Sequence, residues 1–392
     1  MSVNSKVENK ILTCYLEGRI DSTNAPAIED ELTIIRLSKS HNEMVLDLEK
    51  LEYISSAGLR VILRLRKDEK KISLVNVSNE VYEVLEMTGF SEMLPVSKGF
   101  RVLSVDGCEV VGRGSNGIVY RINDDTVVKV YFNPDALPDI KRERDLARKA
   151  FVLGIPTAIS YDVVRVGDSF GSVFELLNAT SIAYLMRDNI DDIDKYIKIY
   201  VDFMKDIHAT EVKPEDMPDM RTVAIGWANY VKEYLPEEKG EKLVSLMESV
   251  PVQHTMLHGD YHVRNLMVQN NEVLIIDMDT LCYGHPIFEL ASMFNAYEGF
   301  LELDHDMAIK FLGIPYDLCQ LIWHKTLPMY LGTDDPKRIK EVEDKAKLIG
   351  YTRLMRRTIK RIGFEDETGK KMIENYKQNI VKLLDSIDVL TF

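Results

Sequence analysis

Cysteine is scarce in this sequence, and the few cysteines present lie far apart. No two of them have the close spacing of a disulfide framework or of a cysteine-based zinc site. This scarcity predicts a reducing compartment and excludes a fold that depends on disulfides. The four residues are Cys14, Cys108, Cys282 and Cys319.

Long apolar runs and an excess of positive charge are also missing. The sequence has no amino-terminal apolar segment of the signal-peptide type and no run of membrane length, which predicts a cytoplasmic protein with no membrane partner. The 49 lysines and arginines are outnumbered by 63 aspartates and glutamates, giving a formal net charge of −14. This balance disfavours nucleic acid as a partner and favours cationic partners.

The apolar content is sufficient for more than one hydrophobic core. The chain has 392 residues, of which 45% are hydrophobic and 29% are charged. Because a chain of this length is too long for a single core, two or three cores are expected. No internal repeat and no low-complexity stretch divides the chain, and a boundary is predicted near residues 96–102.

The span "HTMLHGDYHVRNLMV", residues 254–268, concentrates polar side chains, and its histidines recur at every fourth residue. On a helix, that spacing would place His254, His258 and His262 on one face, where they could share a zinc ion. A glycine and an aspartate interrupt the run, and short apolar pieces flank it, so the pattern favours a strand, a loop and a second strand. A zinc site is therefore disfavoured, and the polar residues are interpreted as a catalytic loop or as turn caps.

An apolar run at residues 273–276 follows this span and predicts a buried strand that ends at Asp277 and Asp279. Oxygen ligands at a strand end suit a hard cation such as Mg²⁺. Asn265 and Asp277 are candidate ligands, and Asp260 is a carboxylate that could accept a proton. Asp279 could equally have a structural role.

Glycines occur upstream at Gly112, Gly114 and Gly117, in the pattern G-x-G-x-x-G, which allows backbone N–H groups to approach phosphates. The motif leads into two β-rich stretches joined by a turn, so it predicts a hairpin and not the helix start of a Rossmann domain. The second stretch contains Lys129 among valines, where a lysine needs an anion. Glu143, on the next predicted helix, is the candidate partner. Alternatively, Glu143 could belong to a solvated helix face. Lys129 could likewise extend its charged end into solvent from an edge strand.

Four motifs, "GRGSNGIVY", "VVKVY", "HGDYHVRN" and "IIDMD", occur in this order after about residue 100. Together they resemble the aminoglycoside phosphotransferase and choline kinase group of the protein-kinase-like fold. The resemblance implies an ATP- and Mg²⁺-dependent phosphotransferase in which Asp260 is the catalytic base and Asn265 and Asp277 bind the metal. It also implies that Lys129 contacts the α- and β-phosphates and is oriented by Glu143.

Two further segments gain a meaning from the same resemblance. "FELLN", residues 174–178, would be the hinge whose backbone, at Glu175 and Leu177, receives the adenine. The family usually has G-D-P-x-x-D-L-A after the metal-binding strand, whereas this chain has "GHPIFELA", with His285 and Glu289 at the aspartate positions. Glu289 can still accept hydrogen bonds that brace the catalytic loop. The glycine motif is complete, as in protein kinases, so the phosphate acceptor could be a protein as well as a small molecule.

The first hundred residues alternate strands with helices and predict a small α/β domain with a mixed or parallel sheet. The stretches "LEGRIDSTNAPAIEDEL", "YISSAGLRVIL" and "SNEVYEVLEMTGF" resemble the STAS domain of bacterial anti-sigma factor antagonists. In that family a serine at the start of the helix after the central strand is a phosphorylation switch. Ser56 takes that place here, and Ser55 stands where an aspartate is usual. The alternative role for both serines is a helix N-cap.

The expected fold class is an α+β multidomain protein in which a small α/β STAS-like domain precedes a bilobal protein-kinase-like domain. The predicted ranges are 1–99 for the first domain and 100–392 for the second, with an N-lobe at 100–178 and a helical C-lobe at 179–392. The predicted function is transfer of the γ-phosphate of ATP to a hydroxyl group of a small molecule, including a cationic one, or of a protein serine. The alternative is a signalling protein that binds a partner through the STAS-like domain and only senses nucleotide through its kinase-like part.

Overall fold

The computed structural model describes residues 3–114, 116–270 and 272–392. The chain divides into two compact units, one formed by residues 1–106 with 163–171 and the other by residues 107–162 with 172–392. Each unit contains its own hydrophobic core. None of the helices built from the described residues has the length and apolar character needed to cross a membrane.

The strands of the described chain, in order, are β1 (Asn4–Glu8), β2 (Ile11–Ile20), β3 (Glu43–Ile54), β4 (Ile72–Val77), β5 (Val96–Lys98), β6 (Arg101–Val102), β7 (Glu109–Arg113), β8 (Gly117–Arg121), β9 (Thr126–Tyr131), β10 (Asp162–Val166), β11 (Ser169–Glu175), β12 (Thr180–Ser181), β13 (Met256–Leu257), β14 (Leu266–Gln269), β15 (Glu272–Ile275) and β16 (Cys282–Tyr283). The α-helices are α1 (Ala25–Ser38), α2 (Ser56–Asp68), α3 (Asn79–Met87), α4 (Phe90–Met93), α5 (Leu137–Val152), α6 (Ile182–Asp188), α7 (Ile193–Ala209), α8 (Met220–Val231), α9 (Glu237–Ser249), α10 (Ile287–Phe294), α11 (Met307–Leu312), α12 (Tyr316–Leu331), α13 (Pro336–Arg361) and α14 (Glu367–Leu383).

The first unit contains a five-stranded sheet in the order β1-β2-β3-β4-β5. β1 is antiparallel to β2, whereas the β2–β3, β3–β4 and β4–β5 pairs are parallel. The central strands are apolar because parallel strands joined by helices are covered on their faces, and Leu12, Met44 and Leu74 are fully buried. The mixed sheet confirms the predicted α/β architecture. β1 was not predicted because its largely exposed residues lack apolar alternation.

The second unit begins with an antiparallel β7–β8–β9 meander, and β11 lies beside β9. The predicted hairpin after the glycine motif is therefore present, and Val119 on β8 lies opposite Lys129 on β9. The remainder is mainly helical, with α10 packed on α13 and α13 packed on α14. Two small sheets, β12-β14-β15 and β13-β16, are inserted among these helices. A small α/β domain with a kinase-like fold after it confirms the predicted fold class.

Candidate active site

Lys129 lies in the middle of β9 and forms ion pairs with two carboxylates from distant parts of the chain. Its Nζ lies 3.2 Å from Oε1 of Glu143 on α5 and 2.9 Å from Oδ1 of Asp277, which follows β15. Burial alone would lower the pKa of Lys129, but Asp277 and Glu143 outweigh it and raise the pKa above its ordinary value. The structure thus brings these three predicted site residues together around one cation.

Tyr131 fixes the carboxylate of Glu143 from a second side. Its hydroxyl donates to Oε2 of Glu143 at 2.9 Å and lies 3.3 Å from Oγ of Ser172 on β11. Burial and the neighbouring Glu143 raise the pKa of Tyr131, so its hydroxyl keeps its proton and remains a donor. The sequence offered a signal for this contact, because Tyr131 is two residues after Lys129 on one strand and therefore shares its face.

The loop after β13 is held by the buried carboxylate of Glu289 on α10. One oxygen of Glu289 accepts from the backbone N–H of Gly259 at 3.0 Å, and the other accepts from the backbone N–H of His258. Glu289 is fully buried, and a buried carboxylate needs such donors. The bracing role predicted for Glu289 is confirmed.

Gly259 is required by both the backbone conformation and the space around it. Its φ is +79°, and a Cβ at this position would lie 2.4 Å from the carbonyl oxygen of Thr280. Thr280 also donates through Oγ1 to the carbonyl oxygen of His258 at 2.9 Å, and Nε2 of His258 donates to the carbonyl oxygen of Ile276 at 3.2 Å. The loop is therefore tied to the segment that follows β15.

Asp260 projects from this braced loop, and its side chain is 35% exposed. Nε2 of His262 lies 3.6 Å from Oδ2 of Asp260. Burial alone would raise the pKa of Asp260, but His262 and Arg353 outweigh that effect and hold the pKa below its usual range. Asp260 is consequently an ionised carboxylate, able to accept a hydrogen bond from a hydroxyl group.

Arg353, from α13, completes the support of the loop. Its Nη1 donates to the carbonyl oxygen of Gly259 and lies 3.1 Å from both that oxygen and Oγ of Ser292. Ser292 itself donates to the same carbonyl at 2.8 Å. Sequence reasoning missed Arg353, because it lies 94 residues after Gly259 and belongs to no local motif.

Asn265 and Asp277 have the donor atoms that a magnesium ion prefers. Nδ2 of Asn265 donates to the carbonyl oxygen of Asp260 at 3.1 Å, while its amide oxygen accepts no hydrogen bond from the described residues. Asp277 has a left-handed backbone conformation with φ of 67°, an uncommon state for a residue other than glycine.

A further carboxylate, Asp279, lies close enough to Asp277 and Glu143 to be influenced by their negative charge. Burial and the neighbouring Asp277 and Glu143 raise the pKa of Asp279 to about 7. This excess of carboxylates would be relieved by a divalent cation, so the residues fit Mg²⁺.

The three glycines of the G-x-G-x-x-G motif differ in their surroundings. A Cβ on Gly117 would lie 2.3 Å from the carbonyl oxygen of Val130, so this glycine allows β8 to approach β9. Around Gly112 and Gly114 the nearest atoms would lie at 3.7 Å and 4.0 Å, which leaves ordinary space. Of the three glycines, Gly112 and Gly114 therefore have space beside them in which a ligand could approach the backbone.

The glycine motif also contacts the strand end that was predicted to bind a metal, a contact that the sequence did not indicate. Nδ2 of Asn116 donates to Oδ2 of Asp279 at 3.3 Å, across 163 positions of the chain. The two residues belong to the two segments predicted to handle phosphate and metal. The contact places both segments at one site.

The predicted hinge, residues 174–178, begins within the last two residues of β11 and continues into the irregular segment after it. Glu175 ends that strand and is exposed, while Leu177 lies in the irregular segment after it and is half-buried. Between them, the backbone N–H of Leu176 donates to the carbonyl oxygen of Asp125 at 2.8 Å.

The histidines of the 254–268 span do not form a shared helical face. The span consists of β13, a loop and β14, as predicted, and the ring of His254 packs edge-on against Tyr283. Within residues 3–114, 116–270 and 272–392, no group of three or more His, Cys, Asp or Glu side chains is placed to hold a metal ion. His285 caps the start of α10, where its Nδ1 accepts from the backbone N–H of Ile287 at 3.1 Å.

Ser55 and Ser56 have different surroundings in the first unit. Oγ of Ser55 accepts from the backbone N–H groups of Ala57 and Gly58, at 3.2 Å and 3.5 Å, and caps α2. Ser56 is the first residue of α2 and is exposed. The N-cap role predicted for these serines therefore applies to Ser55.

The strand lysine with its helix glutamate, the braced loop with an ionised aspartate and the aspartate after the next strand define a kinase-like phosphotransferase. Residues 107–312 match the phosphotransferase enzyme family over more than half of the chain, and residues 2–101 match the STAS domain. The chain therefore belongs to the phosphotransferase enzyme family and has a STAS domain at its amino-terminal end.

Individual relatives are similar to one part or the other. BtrV of Bordetella bronchiseptica, a candidate anti-sigma factor antagonist, is 38% identical over 96 residues, which are 24% of this chain and 81% of BtrV. The anti-sigma-B factor antagonist of Staphylococcus aureus is 23% identical over 106 residues, which are 26% of this chain and 97% of that protein. A mutant aminoglycoside 2′-phosphotransferase-IIIa in complex with GDP is similar in fold, with a TM-score of 0.50 and 13% identity, over 77% of this chain and 98% of that one.

Proposed function

We propose that this chain transfers the γ-phosphate of ATP to a hydroxyl group in a magnesium-dependent reaction. The observation that carries the proposal is the pair of ion contacts that Lys129 makes with Glu143 and Asp277. A lysine held in this way among buried residues is a rigid positive charge, which is what binding of nucleotide phosphates requires.

The nucleotide would be bound by the β-rich part of the second unit. Lys129 would contact the α- and β-phosphates, with Glu143 as the residue that positions it, and the motif containing Gly112, Gly114 and Gly117 would cover the phosphates. The backbone of the hinge at Glu175 and Leu177 would receive the base. Because a relative of similar fold is bound to GDP, GTP should be tested beside ATP.

Asn265 and Asp277 would hold Mg²⁺ through the amide oxygen and the carboxylate. The ion supplies neutralisation of the phosphate charge that develops during transfer. Binding of the metal by Asp277 would then weaken the ion pair between Asp277 and Lys129. Asp279 contributes negative charge close by, and its contact with Asn116 links the glycine motif to the same site.

Asp260 would orient the acceptor hydroxyl and receive its proton. The hydroxyl oxygen forms a bond to the γ-phosphorus, the bond between that phosphorus and ADP breaks, and the hydroxyl proton passes to the Asp260 carboxylate. Because His262 and Arg353 hold its pKa low, Asp260 is a weak base that accepts the proton late in the reaction. Such a base suits a loose transition state in which positioning contributes most of the catalysis.

The STAS domain would couple this reaction to signalling. The first unit is similar to anti-sigma factor antagonists, so we assign it the role of docking a signalling protein. Ser56, exposed at the start of α2, is its candidate phosphorylation site, and Ser55 is the less accessible alternative. We keep residues 1–99, 100–178 and 179–392 as the proposed domain and lobe ranges.

The test is transfer of labelled phosphate by the purified full-length chain. The protein is incubated with γ-labelled ATP or GTP and Mg²⁺, alone and with amino sugars, amino alcohols and candidate proteins. Transfer that depends on Asp260 supports the proposal. Nucleotide binding without transfer to any acceptor, including the chain itself, would support a nucleotide sensor instead.

A further inference from the structure

Three arginines follow one another on one face of α13. Arg353, Arg357 and Arg361 are spaced by four residues, so they lie within about 80° of one another around the helix. Arg357 and Arg361 both reach solvent, although part of the Arg357 side chain is covered, whereas Arg353 is half-buried where it donates to the loop that carries Asp260. We call these three residues the arginine row.

The arginine row begins at the loop that carries the proposed catalytic carboxylate, where Arg353 donates to the carbonyl oxygen of Gly259. Arg353 lowers the pKa of Asp260, and Asp260 in turn favours the charged form of Arg357. The guanidinium of Arg357 lies 5.5 Å from the ring centre of Phe300. Partial burial, with Arg361 and Arg353 close by, lowers the pKa of Arg357, so the row is a region of concentrated positive charge.

The positive charge of the row is not neutralised by ion pairs. Within the part of the chain that the structure describes, no carboxylate lies within 4.0 Å of Arg353, Arg357 or Arg361. Acidic groups are nevertheless abundant in the chain, which has a formal net charge of −14. Glu302, which like Arg357 influences Tyr376, is already engaged by the hydroxyl of Tyr351 and by Nδ2 of Asn375.

We propose that Arg357 and Arg361 bind a negatively charged group, a phosphate or a carboxylate, of the hydroxyl acceptor. The inference rests on the proposed function, because it names the acceptor class of the site around Asp260. An acceptor with an amino group, which the net charge of the whole chain favours, would meet like charge at this position. Guanidinium groups suit phosphate and carboxylate because their planar donors match those oxygens.

A purely structural role for the row accounts for only part of it. Arg353 donates to a backbone carbonyl and lies 5.4 Å from the ring centre of Trp227, so it braces the loop. Arg356 and Lys360, on the neighbouring face, lie 6.0 Å and 5.0 Å from the ring centre of Tyr230. Arg361 makes no such contact among the described residues, so bracing does not explain it.

The test compares acceptors that differ only in charge. The small-molecule arm uses glycerol, glycerol phosphate and aminopropanediol, which share two hydroxyl groups and differ in a neutral, a negative or a positive third substituent. The protein arm uses serine peptides flanked by glutamate or by lysine. Binding is measured by calorimetry on the full chain saturated with Mg²⁺ and a non-hydrolysable ATP analogue, and transfer is measured with labelled ATP. The small-molecule and peptide arms distinguish the two sources of the anion.

We expect the negative member of a series to be preferred by at least about tenfold, the factor that one charge-assisted hydrogen bond contributes. Arg357→Gln and Arg361→Gln should each remove most of this preference, whereas Arg356→Gln should keep it. A preference ratio is insensitive to partial loss of folded protein, because both acceptors lose signal equally.

Preference for the neutral or positive members, or no difference among the charges in the wild type, would overturn the inference. Retention of the full preference by both Arg357→Gln and Arg361→Gln would also overturn it. The binding measurement needs no turnover. Selective binding of glycerol phosphate without any phosphate transfer would therefore support the anion site but contradict the proposed phosphotransferase activity.

Discussion

Lys129 and Asp277 lie 148 residues apart in the chain, yet Nζ of the lysine and Oδ1 of the aspartate are 2.9 Å apart. The contact joins the middle of β9 to the segment after β15, and Glu143 on α5 completes it. A buried lysine without an anion is strongly disfavoured. The charge of Lys129 therefore helps to hold β9, α5 and the segment after β15 together.

Asp260→Asn should abolish phosphate transfer and leave ATP binding in place. The amide cannot receive the hydroxyl proton, and a positioned general base contributes a factor of about 10² to 10⁴ to the rate. Turnover is measured with labelled ATP and nucleotide affinity by calorimetry. Asp191→Asn, at an exposed aspartate, is the control and should behave like the wild type. Near-normal turnover of Asp260→Asn would remove Asp260 from its proposed role.

Asp277→Ala should remove the dependence of nucleotide affinity on Mg²⁺. In the wild type, the ion should bridge the carboxylate and phosphate oxygens, so ATP should bind more tightly with Mg²⁺ than with a chelator. The variant should show the same affinity in both conditions. Equal affinities in the wild type would contradict a metal site at Asn265 and Asp277.

Glu289→Gln should destabilise the second unit. The amide has one acceptor oxygen in place of two, so one of the backbone N–H groups of His258 and Gly259 loses its partner in a buried site, at a cost of about 1–3 kcal/mol. Urea unfolding followed by tryptophan fluorescence isolates this unit, because both tryptophans of the chain, Trp227 and Trp323, belong to it.

Glu215→Gln is the matched control for that measurement, since Glu215 is exposed in a turn. It should unfold at the same urea concentration as the wild type. If Glu289→Gln unfolds at that concentration too, the two backbone hydrogen bonds do not stabilise the loop as we infer.

The second unit should lose stability as the pH falls through the range in which His285 titrates. Burial, with His208 and Lys345 nearby, lowers the pKa of His285 from 6.5 to about 4. Between these values the unfolded chain binds a proton that the folded chain does not. The stabilisation that comes from the neutral side chain of His285 is therefore complete above pH 6.5 and is lost as the pH falls toward 4. The size of this stabilisation is about 3 kcal/mol.

His285→Asn provides the comparison, because asparagine keeps an acceptor that can cap α10 but does not titrate. Unfolding of the wild type and the variant is followed by tryptophan fluorescence from pH 4 to pH 8. The variant should show a smaller decrease in stability at acid pH. The same decrease in both proteins would assign the acid sensitivity to other groups.

Local patterns in the sequence predicted those parts of the fold and site that depend on neighbouring residues. The hairpin after the glycine motif and the helix that bears Glu143 follow from β-branched alternation and helical periodicity. The need of Lys129 for an anion followed from the cost of burying a lone lysine, and Glu143 was the candidate partner on the next helix. The family resemblance supplied the order of the motifs, which periodicity cannot give.

Contacts between remote segments could not be predicted, because no short-range pattern records which surfaces meet. Arg353 reaches the loop that carries Asp260 from α13, 94 residues after Gly259 and outside every recognised motif. The link between Asn116 and Asp279 joins two motifs that were each recognised, but their relative placement depends on packing of the whole unit. The overall negative charge also gave no sign of the positive region beside Asp260.

Ser56, and not Ser55, should be the serine that accepts phosphate in the first unit. Ser56 is exposed, whereas the hydroxyl of Ser55 caps α2. A phosphate at Ser56 would lie at a helix amino terminus, where free N–H groups and the helix dipole favour negative charge. It would add about −1.5 to −2 charge to the surface that we propose for docking. Tethering raises the local concentration of this serine to roughly millimolar, which favours self-phosphorylation.

Mass mapping of the full chain after incubation with Mg²⁺ and ATP distinguishes the source of the phosphate. Phosphate on Ser56 of the wild type, absent from Asp260→Asn, would establish transfer by the chain's own active site. Ser56→Ala should lose the modification, while Ser55→Ala should keep it and destabilise α2 by about 1 kcal/mol through loss of the cap. If another acceptor is phosphorylated but Ser56 is not, self-phosphorylation is excluded. The STAS domain would then act by docking, or through phosphorylation by a separate kinase.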